Sequence, residues 1–128
     1  MKSQRDLSKA GVVSIWLGDG IRNESELDAY LSDRFASDFG FRIHAPSGPE
    51  YAAGPWSGEK PIEPVASLLS GFSQSSQWRD AAVRLAEERG FREARAALVF
   101  HALEYDPRLV ANPSAPLTFV GSVPIVRS

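Results

Sequence analysis

The chain has 128 residues, of which 43% are hydrophobic, so it can form one globular domain that buries about two-thirds of its unfolded surface without covalent cross-links. Its formal net charge of −2 and its pI of about 5.7 argue against a nucleic-acid-binding protein. The absence of cysteine excludes disulfides, thiolate metal sites and cysteine nucleophiles. No apolar run approaches the ~20 residues that span a bilayer, so we expect a cytoplasmic protein without membrane association.

The N-terminal segment divides into a tail and a strand. Residues 1–10 are expected to be a disordered tail, and residues 11–128 a single domain. Residues 12–17, "VVSIWL", alternate and are rich in β-branched side chains, which predicts a strand that ends at the turn formed by Gly18, Asp19 and Gly20. We expect Trp16 to be buried beside this turn and to support it.

A helix and a second strand are predicted next. Asn23 and Glu26 have the spacing of a capping box, and the helix should run to about Phe35 with Tyr30 on its apolar side. Residues 39–45, "FGFRIHA", alternate in the manner of a strand that is covered on one face only.

A long segment without periodicity follows. Residues 46–61, "PSGPEYAAGPWSGEKP", contain four prolines and three glycines around Tyr51 and Trp56, so we expect a loop. Loops of this length are often functional, although a plain insertion remains an equal alternative.

The C-terminal half predicts two helices and two strands. One helix should begin at Pro64, and a second should be capped by Ser75 or Ser76 and end at Gly90. Residues 96–106 are apolar on both faces and predict a central strand, whose antiparallel neighbour is residues 116–126. Together the elements predict an α+β fold: a single two-layer domain with a mixed sheet of about four strands packed against about three helices.

Catalytic chemistry is weakly represented in the sequence. His101 and Glu104 would point to opposite faces of a strand, and His44 has only Glu50 or Tyr51 as conceivable partners in the loop. The glycine turn after the first strand lacks the third glycine and the lysine of a phosphate loop. We therefore predict no catalytic residue, metal or cofactor, and keep as an alternative a small hydrolase or ligand-binding domain that uses His44 or His101 in a pocket near the 46–61 loop.

Acidic residues are concentrated between positions 19 and 38. Six carboxylates face two arginines there, a local net charge of 2 − 6 = −4. The helix dipole accounts for acid near the helix start but not for Asp33 and Asp38, which lie toward the other end. Such a patch can attract a basic partner.

Five short motifs in order resemble the immunity protein 22 family of bacterial polymorphic toxin systems. They are "VSIWLG", "SELDAYL", "FGF" with Glu50 downstream, "LEYD" and "FVGSV", and the resemblance spans the chain from Val12 to Val123. The family's strand end is matched by Trp16 and Gly18, and its helix start by Ser25 and Glu26, with Leu27 and Tyr30 offset by one residue; "LEYD" contains Glu104. The 46–61 loop is longer and richer in proline than the family pattern.

The resemblance implies an α+β immunity protein that is not an enzyme and that binds a cognate toxin domain in the producer's cytoplasm. It further implies a basic nuclease as the toxin, which a carboxylate-rich helix can bind in place of phosphates. The expected contact residues are Asp28, Asp33 and Asp38, assisted by Asp19 and Glu24. Tyr51 and Trp56 are the candidate aromatic anchors.

Overall fold

The computed structural model describes residues 1–44, 48–53 and 61–126. The strands are β1 (Lys2–Ser3), β2 (Ser8–Gly18), β3 (Phe41–Arg42), β4 (Glu50–Ala52), β5 (Glu63–Pro64), β6 (Glu93–Ala94), β7 (Ala96–Leu103) and β8 (Thr118–Pro124). The α-helices are α1 (Glu24–Asp33), α2 (Phe35–Phe39), α3 (Val65–Leu69) and α4 (Arg79–Glu88). The predicted α+β class is confirmed.

The main sheet has four strands in the order β4-β7-β2-β8, and every neighbouring pair is antiparallel. β7 was predicted to pair with β8, but β2 lies between them. β2 and β7 have the longest runs of consecutive buried residues, and long runs of this kind are typical of strands at the centre of a sheet. The parallel pairing in the fold is the short β1·β3 pair outside this sheet.

Helices cover both faces of the main sheet, so the domain has three layers where two were predicted. Val13, Ile15 and Leu17 of β2 pack with the apolar side chains of α3 and α4. Trp16, which points the opposite way, packs with α1 and α2. The strand is buried from Val13 onward to its end, and a strand buried on both faces needs a layer on each.

Trp16 lies at the centre of one core. Its side chain is fully buried, and six aromatic rings lie with centroids 5.0–6.3 Å from its own: Phe35, Phe39, Phe41, Phe100, Tyr105 and Phe119. The predicted burial is therefore confirmed. Through these contacts Trp16 connects its own strand, β2, with β7, with β8 and with α2. Its Nε1 has no hydrogen-bond partner among the described residues.

The turn after β2 is held by Arg95, which lies between β6 and β7. The backbone N–H of Arg95 donates to the Gly18 carbonyl and to the Asp19 carboxylate, each at 3.2 Å. On its other side Gly18 packs against the backbone of Pro116, which leaves no room for a Cβ atom.

The predicted disordered tail is wrong. Lys2 and Ser3 pair with β3, residues 4–7 form a 3-10 turn, and the remainder begins β2. Gln4 and Leu7 are only 7% and 9% exposed. The tail lacks an apolar period, so its order comes from contacts distant in sequence, such as the hydrogen bond from His44 N to Gln4 Oε1.

The middle of the chain also differs from prediction. Of the strand predicted over residues 39–45, Phe41 and Arg42 form β3, while Phe39 ends α2 and Gly40 follows it with a φ of +76°. Within the expected loop, residues 50–52 form β4 at the edge of the main sheet. Pairing with β7 supplies the order that the proline- and glycine-rich sequence does not predict.

The helix signals were mostly correct. The Asn23 side chain accepts from Glu26 N at 2.9 Å and caps α1, which ends at Asp33 where Phe35 was expected. α3 begins directly after Pro64, and Gly90 follows α4 with a φ of +87°. The predicted serine cap of α4 is wrong, because Ser75 and Ser76 form a separate 3-10 turn.

Replacement of Gly18 by alanine should destabilise the protein by about 1–3 kcal/mol, because the new Cβ would overlap the Pro116 carbonyl oxygen. Gly48 is the matched control, since a Cβ there meets nothing within 4 Å. Urea denaturation of Gly18→Ala and Gly48→Ala measures both effects. Equal stability of the two variants would contradict the packing of this turn.

Candidate functional site

The candidate site is formed where the first turns of α1 meet the edge strand β4. The Tyr51 hydroxyl donates to Asp28 Oδ1 at 2.8 Å, and both residues are partly buried. Glu24 lies one turn earlier on the same side of α1 and also acts on the Tyr51 hydroxyl. We call Glu24, Asp28 and Tyr51 the acidic surface.

The negative charge of the acidic surface changes the pKa of its tyrosine, Tyr51. The hydrogen bond to Asp28, followed by burial and by the charges of Asp28 and Glu24, raises the pKa of Tyr51 to about 12. The phenol therefore stays neutral at physiological pH and holds Asp28 in place. Tyr51 was predicted as an anchor on a loop, and it lies instead on the edge strand β4.

Four carboxylates of the acid-rich segment have no ion-pair partner within the described part of the chain. Glu26 binds Arg22 at 2.9 Å, and Arg34 lies 4.0 Å from Asp38. These two pairs use both arginines of the segment. The local charge of −4 therefore belongs to the remaining carboxylates: Asp19, Glu24, Asp28 and Asp33.

These four carboxylates do not form one continuous patch. At 3.6 residues per turn, Glu24 and Asp28 lie about 40° apart around α1, whereas Asp33 lies about 140° from Asp28. Asp33 is exposed at the last residue of α1. Asp19 is exposed too, but one of its oxygens accepts from Arg95 N. The structure thus groups Glu24 with Asp28 and Tyr51 and places Asp33 on a different side of α1.

Asp38 was predicted to contact a partner, and this prediction is wrong. Asp38 is only 7% exposed, its Oδ2 accepts from the Tyr30 hydroxyl at 2.7 Å, and its Oδ1 accepts from Asn112 Nδ2 at 3.2 Å. Its carbonyl accepts from Ala111 N at 2.8 Å. The chain breaks its helix at Arg34, so α2 turns Asp38 inward, where it joins α2 to the segment before β8.

Tyr30 and Tyr105 anchor the aromatic core through their hydroxyls. Burial, and then the bond to Asp38, raises the pKa of Tyr30 well above its ordinary value. Burial similarly raises the pKa of Tyr105, whose hydroxyl donates to the Phe39 carbonyl at 2.7 Å. Both residues are structural, as expected for Tyr30.

The predicted residue Glu104 is not part of the site. Glu104 is exposed, pairs with Lys9 at 3.3 Å and lines an open hollow of about 640 Å³ whose other charges include the paired Asp106 and Arg108. Glu104 N also donates to the Leu7 carbonyl, which ties the end of β7 to the N-terminal segment. Trp56 lies outside the described residues.

The two histidines have different surroundings. His44 Nε2 lies 2.9 Å from Arg5 Nη2 and so accepts from the guanidinium, whereas its suggested partner Tyr51 donates to Asp28. His101 instead meets Glu50, with Nε2 2.7 Å from Oε1. Sequence reasoning missed this pair because it depends on the register of β4, which was not predicted.

No group of three or more potential metal-ligating side chains occurs in the described ranges. No helix within those same ranges is long and apolar enough to cross a bilayer. No family model, curated protein or solved structure matches the chain.

Titration of the three tyrosines tests the hydroxyl contacts together. All three have a raised pKa, so absorbance at 295 nm should show almost no tyrosinate at pH 10 in the folded protein and about half-ionised tyrosine after unfolding in urea. Because the folded state keeps these protons to higher pH, stability should fall as the pH rises above 10. One tyrosine that titrates near pH 10 before unfolding would contradict the Tyr51–Asp28 bond.

Asp38 and Asp33 should respond differently to the same substitution. Asp38→Asn places an amide donor against the Tyr30 hydroxyl or the Asn112 amide and should cost about 1–3 kcal/mol. Asp33→Asn should change stability by less than ~0.5 kcal/mol, because Asp33 is exposed. Urea denaturation curves of the two variants measure their free energies of unfolding. Equal values would show that Asp38 is not held by these bonds.

Proposed function

We propose that the protein is an immunity protein that binds and neutralises a cognate toxin domain, a basic nuclease, in the cytoplasm of the producing bacterium. The observation that supports it best is the acidic surface: two carboxylates and a tyrosine, ordered by the Tyr51–Asp28 bond, with no cation paired to either carboxylate among the described residues. The resemblance to the immunity protein 22 family motivates the class of partner.

Charge complementarity is the first argument for a basic partner. A nuclease active site concentrates lysine and arginine to attract phosphates, and unpaired carboxylates are attracted to the same groups. Asp19 and Asp33, outside the acidic surface, add long-range attraction that speeds encounter and is weakened by salt.

Tyr51 is the second argument, because tyrosine is among the residues that contribute most to interface affinity. Its ring packs against the aromatic core, and its hydroxyl is fixed by Asp28, so little conformational freedom remains to be lost on binding. A lysine or arginine of the partner can then bind Asp28 and Glu24 while its aliphatic stem packs beside the tyrosine ring.

The acidic surface is proposed to act by binding the basic groups of the toxin that would otherwise bind phosphates. This inhibition needs no chemical step by this chain. The hydrolase alternative placed His44 in a pocket, and the contact of His44 with Arg5 gives no support to that role.

Titration calorimetry tests the proposal with the C-terminal domain encoded by the gene immediately upstream. We expect nanomolar affinity at low salt, weaker binding at moderate salt, and at least a tenfold loss, about 1.4 kcal/mol, for Asp28→Asn. Asp80→Asn on α4 is the matched control, since Asp80 is 87% exposed and its replacement changes the net charge equally.

Three results would contradict the proposal. No binding to the neighbouring domain removes the immunity function. Binding that Asp28→Asn and Asp80→Asn weaken equally shows that only net charge matters. Binding unaffected by both variants and by salt places the interface elsewhere.

A further inference from the structure

β8 is the longer of the two edge strands of the main sheet. It runs from Thr118 to Pro124, whereas β4 at the opposite edge covers only residues 50–52. One side of β8 is hydrogen-bonded to β2. No other backbone hydrogen bond of residues 118–124 occurs within the described parts of the chain. The backbone N–H and C=O groups on the outer side of β8 are therefore available to a further strand.

Charged side chains, the common protection of an exposed edge, are missing from β8. Residues 109–126 contain no aspartate, glutamate, lysine or arginine, and this is the longest such run in the chain. Natural edge strands often carry a lysine or another charge, which discourages pairing with a strand of another molecule. β8 can be placed beside another strand without burying a charge.

Apolar side chains are exposed near both ends of β8. Val110 is 37% exposed, and Val126, just beyond the strand, is 66% exposed. Val110 lines a hollow of about 270 Å³ that reaches Leu117 and Phe119 at the start of the strand. At the other end, Val126 N donates to the Gln77 carbonyl at 2.9 Å, which holds that end in place. We call residues 118–124, together with Val110 and Val126, the β8 edge.

We propose that the β8 edge binds the same edge of a second copy of this chain, so that two four-stranded sheets join into one sheet in a symmetric dimer. A twofold axis between the copies makes the two β8 strands antiparallel, which continues the antiparallel order of the sheet. A strand without charge can lie beside its own copy without the like-charge repulsion that a charged strand would meet. This property favours a second copy as the occupant.

Antiparallel pairing also brings the exposed apolar residues together. The start of one β8 lies beside the end of the other, so Val126 of one copy approaches the hollow that Val110 lines in the other. The twofold symmetry makes this contact twice. Two exposed hydrophobic residues of each copy are thereby covered, and the burial of their surface adds to the backbone hydrogen bonds.

The assembly should end at two copies. β8 has one extra residue, Val120, opposite β2, and its last residue is Pro124. A bulge and a proline both limit the length over which a second strand can pair. Once two β8 strands are paired, the edge that remains on each copy is β4, which is short and carries Glu50. We therefore expect a weak, closed dimer and no fibre.

The β8 edge is separate from the acidic surface. β7 and β2 lie between β8 and β4, so the dimer leaves the acidic surface of each copy free. The two associations should also respond differently to salt. Salt weakens the attraction of the acidic surface for a basic toxin, but it does not weaken pairing between uncharged strands. Dimerisation and toxin binding can therefore succeed or fail independently.

Sedimentation equilibrium of the full chain alone tests the proposal. We expect a monomer–dimer equilibrium that is half complete at about 100 μM and is not weakened by salt. Val110→Asp should weaken the dimer at least tenfold, because it places a carboxylate in each copy of the contact. Ile62→Asp is the matched control, since Ile62 is 43% exposed and precedes β5, which is not part of the main sheet.

Hydrogen exchange locates the contact. Exchange of the amides of residues 118–124 should slow as the protein concentration rises, while that of residues 50–52 stays unchanged. If Val110→Asp does not fold, Thr118→Lys serves in its place, because it adds at an exposed position the charge that edge strands often carry. A monomer at about 1 mM would overturn the proposal. A dimer that Val110→Asp and Ile62→Asp affect equally, or slowed exchange only outside β8, would do the same.

Discussion

The constraint on which the fold depends is the burial of β2 on both faces. From Val13 to Gly18 every residue of this strand is buried, so the sheet needs strands on both sides of it and helices above and below. The alternation of side chains assigns Trp16 to one core and Ile15 and Leu17 to the other. α1 is docked by the aromatic core around Trp16, and the acidic surface therefore depends on a strand that contributes no residue to it.

A single polar residue is accommodated inside this strand. Ser14 is fully buried, and its hydroxyl donates a hydrogen bond to the Leu103 carbonyl at 2.7 Å. Ser122 Oγ, 2.8 Å away, must then be the donor of their shared bond, and Tyr105 N donates to Ser14 at 3.1 Å. Ser14 thus joins β2 to β8 and to the end of β7, where the aromatic core begins. The network satisfies a buried hydroxyl and links both neighbouring strands.

The sequence correctly predicted those strands and helices that are specified by residues close together in the chain. The alternation of β2, the apolar run of β7 and the Asn23 cap of α1 all depend on residues within a few positions of one another. β4 and the ordered N-terminal segment depend on pairing partners more than thirty positions away, and the sequence around them has no apolar period. Strand order failed for the same reason, since β7 and β8 are consecutive strands that the buried β2 separates.

The sequence predicted which kinds of residue form the site, but it did not predict which of them contact one another. Counting charges located the acid-rich segment, and Tyr51 was a candidate because it is an aromatic residue among prolines and glycines. The helix break at Arg34 carries no clear local signal, so Asp38 was placed on the surface although it binds Tyr30 inside. The pairs Tyr51–Asp28 and Glu50–His101 both follow from the docking of β4, which neither periodicity nor propensity indicated.

The central claim is that the acidic surface, formed where α1 meets β4, is the part of the protein that contacts a toxin. The most direct measurement is a backbone NMR chemical-shift map of the labelled protein as the toxin domain encoded upstream is added. We expect the largest changes at Glu24, Asp28 and Tyr51, with α4 unchanged. Changes confined to α4 or β8, with the acidic surface unaffected, would contradict it.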